Sequence, residues 1–275
     1  MLNELVEDAV VRPVRSGVSG VGSRFIALTD YVAEFTYLTL GFFQRLFHKW
    51  DRRDWDLFVE QVIEIGAKSL FVALITAAFT GMAVALQLSY GLARFGAKTY
   101  VGIIVAFALV RELSPVLVSL LVGGRVGAGM TAEIGSMAVT EQIDALRALG
   151  SDPIRRLVVP RVLACIIVFP ILTILADLIG VAGGMLISYL ESGVGSRFFM
   201  ESVLRSLKVR DVASGVGKTI FFGAFVGLVA CKEGLQTRGG TVGLGRATKT
   251  TVVVALVLVL ISDFLLSKLF LLVGW

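Results

Sequence analysis

The feature that most constrains the fold is a run of 25 residues, 69–93, that contains no charged side chain. An α-helix needs about 20 predominantly apolar residues to cross the hydrocarbon core of a bilayer. Further apolar segments of this length lie at residues 99–124, 162–190, 212–235 and 250–273. With a hydrophobic content of 56% and a mean hydropathy of +0.85, they predict an all-α membrane protein, one domain of five transmembrane helices over residues 1–275.

The distribution of basic residues predicts the orientation of these spans. Sixteen Lys and Arg residues fall on the side that holds residues 1–67, and six fall on the opposite side. Because cytoplasmic loops are enriched in Lys and Arg, we expect a cytoplasmic N-terminus and a C-terminus on the opposite side of the membrane. The net charge of +5 is then explained by membrane orientation, and we predict no nucleic-acid partner.

Upstream of the first span, apolar side chains recur every three or four residues, as they do on one face of a helix. They are Phe25, Leu28, Val32, Phe35, Leu38, Phe42 and Leu46. The stripe predicts an amphipathic helix over about 20–50 that lies in the membrane interface. A soluble helix packed on a partner is the other interpretation of the same stripe.

Arg111 and Glu112 interrupt the second span near its middle. A charge at the bilayer centre costs about 2.5 kcal/mol or more, so both side chains are expected to face the protein interior. Pro115 removes the helix hydrogen bond to the Arg111 carbonyl, which predicts a kink or break beside the charges. Broken helices near the midplane often mark transport sites, so we predict a polar spot in a substrate cavity. A buried pair that bonds to other helices without a transport role is the structural alternative.

An apolar face on the first span could form another wall of that cavity, or could simply pack against a neighbouring helix. It comprises Val84, Leu88, Gly91, Leu92 and Phe95. Two more intramembrane acids, Asp177 and Asp263, could relay protons or serve as buried hydrogen-bonded groups. The segment from Gly215 to Thr219 is similar to the end of a phosphate-binding loop, but Val212 stands where that pattern requires glycine and no strand precedes it.

The segment between the second and third spans has good helix formers over 131–149, ends at Gly150 and is polar. We predict a cytoplasmic helix there that docks on a soluble partner, with a plain surface loop as the alternative. Its polar positions are Glu133, Glu141, Gln142, Asp144 and Arg147. The single histidine, the two cysteines within apolar runs and the lack of a nucleophile–base pair predict no catalytic site, no metal site and no cofactor on this chain.

Several motifs in the middle of the chain resemble one family. They are RELSP at 111–115, GRVGAGMTAEIG at 124–135, TEQIDAL at 140–146, DPIRR at 152–156 and Pro160-Arg161. These motifs and the pattern of spans resemble the MlaE/YrbE permeases, the membrane subunits of ABC transporters that work with MCE-domain proteins.

The resemblance implies a homodimeric permease powered by two cytoplasmic ATPase subunits, which would bind the ATP. An MCE-protein ring would lie on the periplasmic side, and a small STAS-domain protein on the ATPase is an optional further partner. Phospholipids or other hydrophobic lipids would be moved between inner and outer membranes. Arg111 and Glu112 match the charged pair of the family's lipid cavity, and 131–149 would be the coupling helix that seats on the ATPase.

Two other functions are compatible with the residues alone. A proton-coupled secondary transporter would use Glu112, Asp177 and Asp263 and would need no ATPase. A non-transporting membrane anchor would recruit soluble partners through residues 131–149 and would carry no lipid.

Overall fold

The computed structural model describes residues 12–46 and 51–273, with side chains from residue 29 onward. The described residues form only helices and connecting turns, which confirms the all-α prediction. The helices are α1 (Arg12–Leu46), α2 (Arg52–Ala93), α3 (Val101–Ala108), α4 (Ser114–Val139), α5 (Gln142–Ala148), α6 (Val159–Ser192), α7 (Ser196–Ser206), α8 (Val209–Leu235) and α9 (Gly240–Leu272). A 3-10 turn, Lys98–Tyr100, precedes α3, and π-helical turns at Leu109–Leu113 and Ile154–Val158 lead into α4 and α6.

Within residues 12–46 and 51–273, five helical segments are long and apolar enough to cross a membrane, which confirms the predicted number of spans. They are Arg52–Ala93, Lys98–Val139, Ile154–Ser192, Val209–Leu235 and Gly240–Leu272. Most of these helices extend beyond the predicted apolar segments. Hydropathy identifies only the part of a helix that lies within the bilayer, whereas the helix itself can continue into water. The first span begins at Arg52 because Asp51 and Asp54 form a capping box that satisfies its first free N–H groups.

The bundle has two ends, named the α5 end and the α7 end after the short helix that each one holds. The α5 end holds α5, the start of α2 and the π turn at Ile154–Val158; the α7 end holds α7 and the 3-10 turn at Lys98–Tyr100. At the α5 end, α1 lies against the π turn and α8.

The amphipathic helix predicted before the first span is present as α1. On its packed face Leu38 and Phe42 are buried, and Phe35 and Leu46 pack against the same core, whereas Val32 is 54% exposed. The predicted positions Phe25, Leu28 and 47–50 lie outside the described side chains.

Helix α2 packs along α6 through small side chains, as is typical of helix pairs in lipid. Ala73, Ala77 and Gly81 follow one another at every fourth position and are buried. A methyl group at Gly81 would lie 1.9 Å from the Gly180 carbonyl oxygen, so the two backbones are in direct contact. This pair forms the rigid side of the bundle.

The single helix predicted over 131–149 is wrong, because this segment contains parts of two helices. Residues 131–139 continue α4 into the core, where Thr131 and Ile134 are buried. The chain then turns at Glu141, whose φ of 59° is left-handed, and α5 comprises only Gln142–Ala148. Ile143, on the inner face of α5, is buried and fixes this short helix across the end of the bundle.

Candidate functional site

A cluster of charged side chains surrounds the ammonium group of Lys218 within the spanning region. Lys218 Nζ donates to Glu112 Oε2 at 2.8 Å, to Asp263 Oδ1 at 3.1 Å and to Ser267 Oγ at 2.6 Å. Ser267 in turn donates to Glu112, with both carboxylate oxygens at 3.2 Å. The Lys218 side chain is only 2% exposed, so α8 brings a buried cation to two acids from α9 and the π turn before α4.

The π turn Leu109–Leu113 positions Arg111 and Glu112. Pro115 cannot donate a hydrogen bond to the Arg111 carbonyl oxygen, and Lys218 Nζ donates to that oxygen at 3.0 Å instead. The predicted irregularity is therefore a widened turn whose free carbonyl is satisfied by a side chain from α8. Gly215 allows this approach, since a methyl group there would lie 2.0 Å from the Val110 carbonyl oxygen. Gly215 thus serves helix packing.

Arg111 forms a second ion pair on the other side of the turn. Its Nη1 lies 3.3 Å from Asp211 Oδ1 at the start of α8, and its guanidinium stacks over the Phe107 ring at 5.5 Å. Asp211 is buried and also accepts from the Lys208 backbone N–H at 2.9 Å. The two ion pairs together hold α8 against the π turn.

Across the whole cluster the acids exceed the bases by one, because Glu112, Asp211 and Asp263 face Arg111 and Lys218. The Glu112 side chain is 47% exposed, whereas its partner Lys218 is enclosed. The cluster therefore presents a carboxylate on an open side of the bundle. Such a group can bind a cationic or hydrogen-bond-donating part of a ligand or of a second subunit.

The sequence prediction found Arg111 and Glu112 but not their partners Lys218, Asp211 and Asp263 as members of one site. A lysine inside a span and an acid inside the last span each imply an interior partner. That rule would have paired Lys218 with Asp263, but it does not identify which helices meet.

The predicted apolar wall on α2 is divided by the structure. Val84, Leu88 and Leu92 pack against a buried cluster near the α7 end, whereas Gly91 and Phe95 are exposed, Phe95 by 83%. Asp177 is buried in α6, and neither of its carboxylate oxygens has a hydrogen-bond partner among the described residues.

Four of the five predicted coupling residues lie together on the exposed surface of α5 or beside it. Glu141, Gln142, Asp144 and Arg147 are exposed, and Arg147 Nη1 lies 2.9 Å from Asp144 Oδ1. Glu133 lies apart from them on α4, where its carboxylate pairs with the buried Arg161 guanidinium at 2.5 Å.

The segment after α5 is attached to the start of α2 by a buried carboxylate. Asp54 Oδ2 accepts from Arg155 Nη2 at 2.7 Å, and Asp54 Oδ1 accepts from Arg156 Nη1 at 2.6 Å. Arg45 of α1 pairs with Asp152 in the same segment. Short ionic contacts therefore hold the segment after α5 against α1 and α2.

Helix α1 is attached to α8 by a second ionic contact. Lys232, a buried residue, lies 3.5 Å from the centre of the Tyr31 ring and 3.3 Å from Glu34 Oε2. Hydrogen bonds from Gln236 and Lys232 lower the pKa of Glu34 below its ordinary value, so this carboxylate stays charged at neutral pH. Burial beside Glu233 raises the pKa of the Tyr31 phenol, which stays neutral.

Replacing Asp54 by asparagine is expected to lower the free energy of unfolding by about 1.5–3 kcal/mol, the range for hydrogen bonds to charged groups. The side chain is 4% exposed, so Arg155 and Arg156 would lose a carboxylate that water replaces only partly. Thermal unfolding in detergent measures the change. Asp56→Asn, two residues away on the exposed surface, is the matched control and should shift stability by no more than about 0.5 kcal/mol. Equal effects of the two variants would contradict a special role of the Asp54 contacts.

Comparisons with known proteins are consistent with this architecture. Residues 58–269 match the family model described as Permease MlaE. A probable ABC transporter permease protein of Synechocystis sp. is 43% identical over 76% of this chain and 80% of its own length. A probable ABC transporter permease protein of Rickettsia bellii is 38% identical over 92% of this chain and 96% of its own length. The chloroplastic protein TRIGALACTOSYLDIACYLGLYCEROL 1 of Arabidopsis thaliana is 40% identical over 78% of this chain and 62% of its own length.

The family match covers most of the chain and includes the π turn, the ion cluster around Lys218 and α5. The five spanning helices make the chain a multi-pass membrane protein. It belongs to the MlaE permease family, the family that its sequence motifs resemble.

Proposed function

We propose that the chain is the membrane-spanning subunit of an ATP-driven transporter that moves phospholipid or another hydrophobic lipid between the inner and outer membranes. The observation that carries this proposal is that the charged Glu112 side chain, in the middle of a spanning segment, is 47% exposed. A lipid-facing charge at that depth costs about 2.5–3.5 kcal/mol. The open side of the cluster therefore faces a polar cavity or another subunit rather than lipid tails.

A second copy of the chain would complete this cavity. Helix α9 carries Asp263 and Ser267 and is the least buried of the five spanning helices. Its exposed apolar side chains include Ile261, Phe264 and Leu265. In a homodimer these side chains would hold acyl chains, and Glu112 and Arg111 would contact the headgroup. The name of the Arabidopsis relative, which refers to a diacylglycerol glycolipid, supports a lipid as the transported molecule.

ATP would be bound and hydrolysed on separate cytoplasmic ATPase subunits, so this chain would be non-catalytic and would bind no cofactor. The exposed surface of α5, with Glu141, Gln142, Asp144 and Arg147, would seat in a groove of the ATPase. Closure of the ATPase dimer would move α5, and the Asp54 contacts with Arg155 and Arg156 would carry that movement to α2. Glu133 would act through its pair with Arg161 rather than by direct contact.

The proposed setting is the bacterial inner membrane, with the α5 end cytoplasmic and the C-terminus periplasmic. An MCE-domain ring would then lie at the α7 end, where Gly91 and Phe95 are exposed and could contact lipid that leaves or enters the cavity. The packed side chains Val84, Leu88 and Leu92 would support that wall from behind. A STAS-domain protein would bind the ATPase and not this chain.

Proton-coupled secondary transport is less well supported by the contacts. A proton path needs acids that communicate through hydrogen bonds. Asp263 and Glu112 share Lys218, but among the described residues no hydrogen bond joins Asp177 to either of them. Two acids that share one lysine are better suited to fixing helices and binding a headgroup.

Lipid transfer by the chain reconstituted with its ATPase and MCE partner tests the proposal. Arg111→Ala and Glu112→Ala should each reduce ATP-dependent transfer at least about tenfold, the effect of losing one hydrogen bond to a charged group. Asp177→Asn is the matched control, because it removes an intramembrane acid that contacts no member of the cluster. Unchanged transfer by the first two variants, in complexes that assemble normally, would exclude the cavity role. Proton coupling would be favoured if Asp177→Asn abolished lipid transfer and if transfer by the unchanged protein did not require the ATPase.

A further inference from the structure

The charged cluster around Lys218 carries an uncompensated negative charge, and that charge lies on its open side. Glu112 and Asp263 both pair with Lys218, whereas Arg111 pairs with Asp211. The Lys218 side chain is enclosed, so a ligand cannot approach its ammonium group. Glu112 is the most exposed of these five side chains, at 47%. The excess charge is therefore available to a ligand through the Glu112 carboxylate.

The Glu112 carboxylate can accept further hydrogen bonds. Its Oε2 accepts from Lys218 Nζ at 2.8 Å, and both of its oxygens lie 3.2 Å from Ser267 Oγ, which has a single hydrogen atom to donate. An ionised carboxylate offers about four lone-pair sites. Lys218 and Ser267 fill only part of them, so sites remain for a donor that approaches from the open side.

Neither lipid tails nor a second copy of the chain would balance this charge. Acyl chains carry no charge, and a carboxylate that faces them in mid-membrane is unfavourable. A second copy brings the same excess of acids over bases, and like charges repel each other across an interface. A positively charged group on a ligand would balance the charge at Glu112, whereas an anionic ligand would add to it.

Lys268 is the basic residue of α9 nearest to the cluster in sequence, but it points elsewhere. Asp263 and Ser267, which both contact Lys218, are four residues apart and therefore lie on one face of α9. Lys268 follows Ser267 directly, and successive residues of a helix point about 100° apart. The Lys268 side chain thus leaves α9 on a different face, and the charge at Glu112 is left for a ligand to balance.

We propose that the preferred lipid is a phospholipid whose headgroup carries a protonated primary amine, and that Glu112 binds this ammonium group. The amine supplies the cation that the cluster lacks, and its three N–H donors match the remaining acceptor sites of the carboxylate. The phosphate lies an ethylene bridge away from that amine, so the preceding residue, Arg111, is the group placed to contact it. The inference rests on the proposed function and adds to it a preference among headgroups.

Competition between two phospholipids tests the preference. The full complex is reconstituted in vesicles with equal amounts of phosphatidylethanolamine and phosphatidylglycerol that have the same acyl chains. Both headgroups carry hydrogen-bond donors, but only the first carries a cation, so the ratio of the two lipids reports on charge. The ratio is measured by mass spectrometry in the lipid that the purified complex retains and in the lipid that it transfers with ATP. We expect a ratio of about ten in favour of phosphatidylethanolamine, the factor that a hydrogen bond between charged groups provides.

Two variants should lower the ratio, and two controls should leave it unchanged. Glu112→Gln keeps the shape of the side chain and removes its charge, so the ratio should fall close to equality. Asp263→Asn leaves Lys218 to neutralise Glu112 alone, so the ratio should fall as well. Glu201→Gln removes an exposed acid at the α7 end, and Lys268→Gln removes the neighbouring base of α9. Neither control touches a member of the cluster.

The two readouts separate this inference from the proposed function. ATP-dependent transfer of both lipids in equal amounts, with equal retention, would overturn the headgroup preference and leave the transporter intact. A preference that survives Glu112→Gln, or that changes with Lys268→Gln instead, would also overturn it. If neither lipid were transferred with ATP while phosphatidylethanolamine was retained through Glu112, the proposed function alone would be contradicted.

Discussion

Lys218→Met is expected to destabilise the protein by about 3–5 kcal/mol and to abolish transport, because it removes one partner of a buried ionic network. Glu112 and Asp263 would face each other without the cation that neutralises them. The Arg111 carbonyl would also lose the donor that Pro115 cannot supply. Thermal unfolding of the detergent-purified complex and ATP-dependent lipid transfer measure the two effects.

The control for Lys218→Met removes the charges of the two acids that Lys218 binds. Adding Asp263→Asn and Glu112→Gln to Lys218→Met makes the cluster neutral, so the triple variant should be more stable than the single one. Removing whole ion pairs is often neutral for stability, whereas stranding one charge is not. Transport should stay low in the triple variant, because the Glu112 carboxylate is gone. A triple variant less stable than Lys218→Met would show that the hydrogen-bond geometry dominates over the charge.

The sequence predicts Arg111 and Glu112 as site residues because a mid-span charge needs an interior partner, and Pro115 predicts the irregular turn beside them. Their partners Asp211, Lys218 and Asp263 lie at least 99 residues further along the chain. Which of them meets the turn depends on how far α8 is displaced along α4. The close backbone contact at Gly215 sets that displacement, and no local sequence pattern predicts it.

The structure of the segment 131–149 also follows only in part from its local sequence. The end of the helix at Gly150 and the restart at Pro153 follow from residues that favour those conformations. The break at Glu141 does not, since a left-handed φ at a glutamate is uncommon and no glycine marks it. Tertiary packing decides there, because burial of Ile134 keeps α4 in the core while Ile143 anchors α5 across its end.

Gly81→Ala is expected to disrupt the packing of α2 against α6 severely. The new carbon would lie 1.9 Å from the Gly180 carbonyl oxygen, and no side-chain rotation can relieve a clash with backbone. Overpacking a core usually costs about 1–3 kcal/mol and sometimes more, and here α2 must move away from α6 as a unit. Because Asp54 joins α2 to the segment after α5, the displaced helix would also uncouple the α5 end from the rest of the bundle. Loss of assembled complex on size-exclusion chromatography, with a lowered unfolding temperature, is the measurable result.

Gly91→Ala in the same helix is the matched control. No atom lies within 4 Å of a methyl group at Gly91, so the substitution removes the same backbone freedom without a clash. Since alanine favours helix over glycine by about 1 kcal/mol, Gly91→Ala should leave stability unchanged or raise it slightly. A stable, assembled Gly81→Ala protein would mean that α2 and α6 can separate at little cost. In that case the α2–α6 side of the bundle would be able to move during transport.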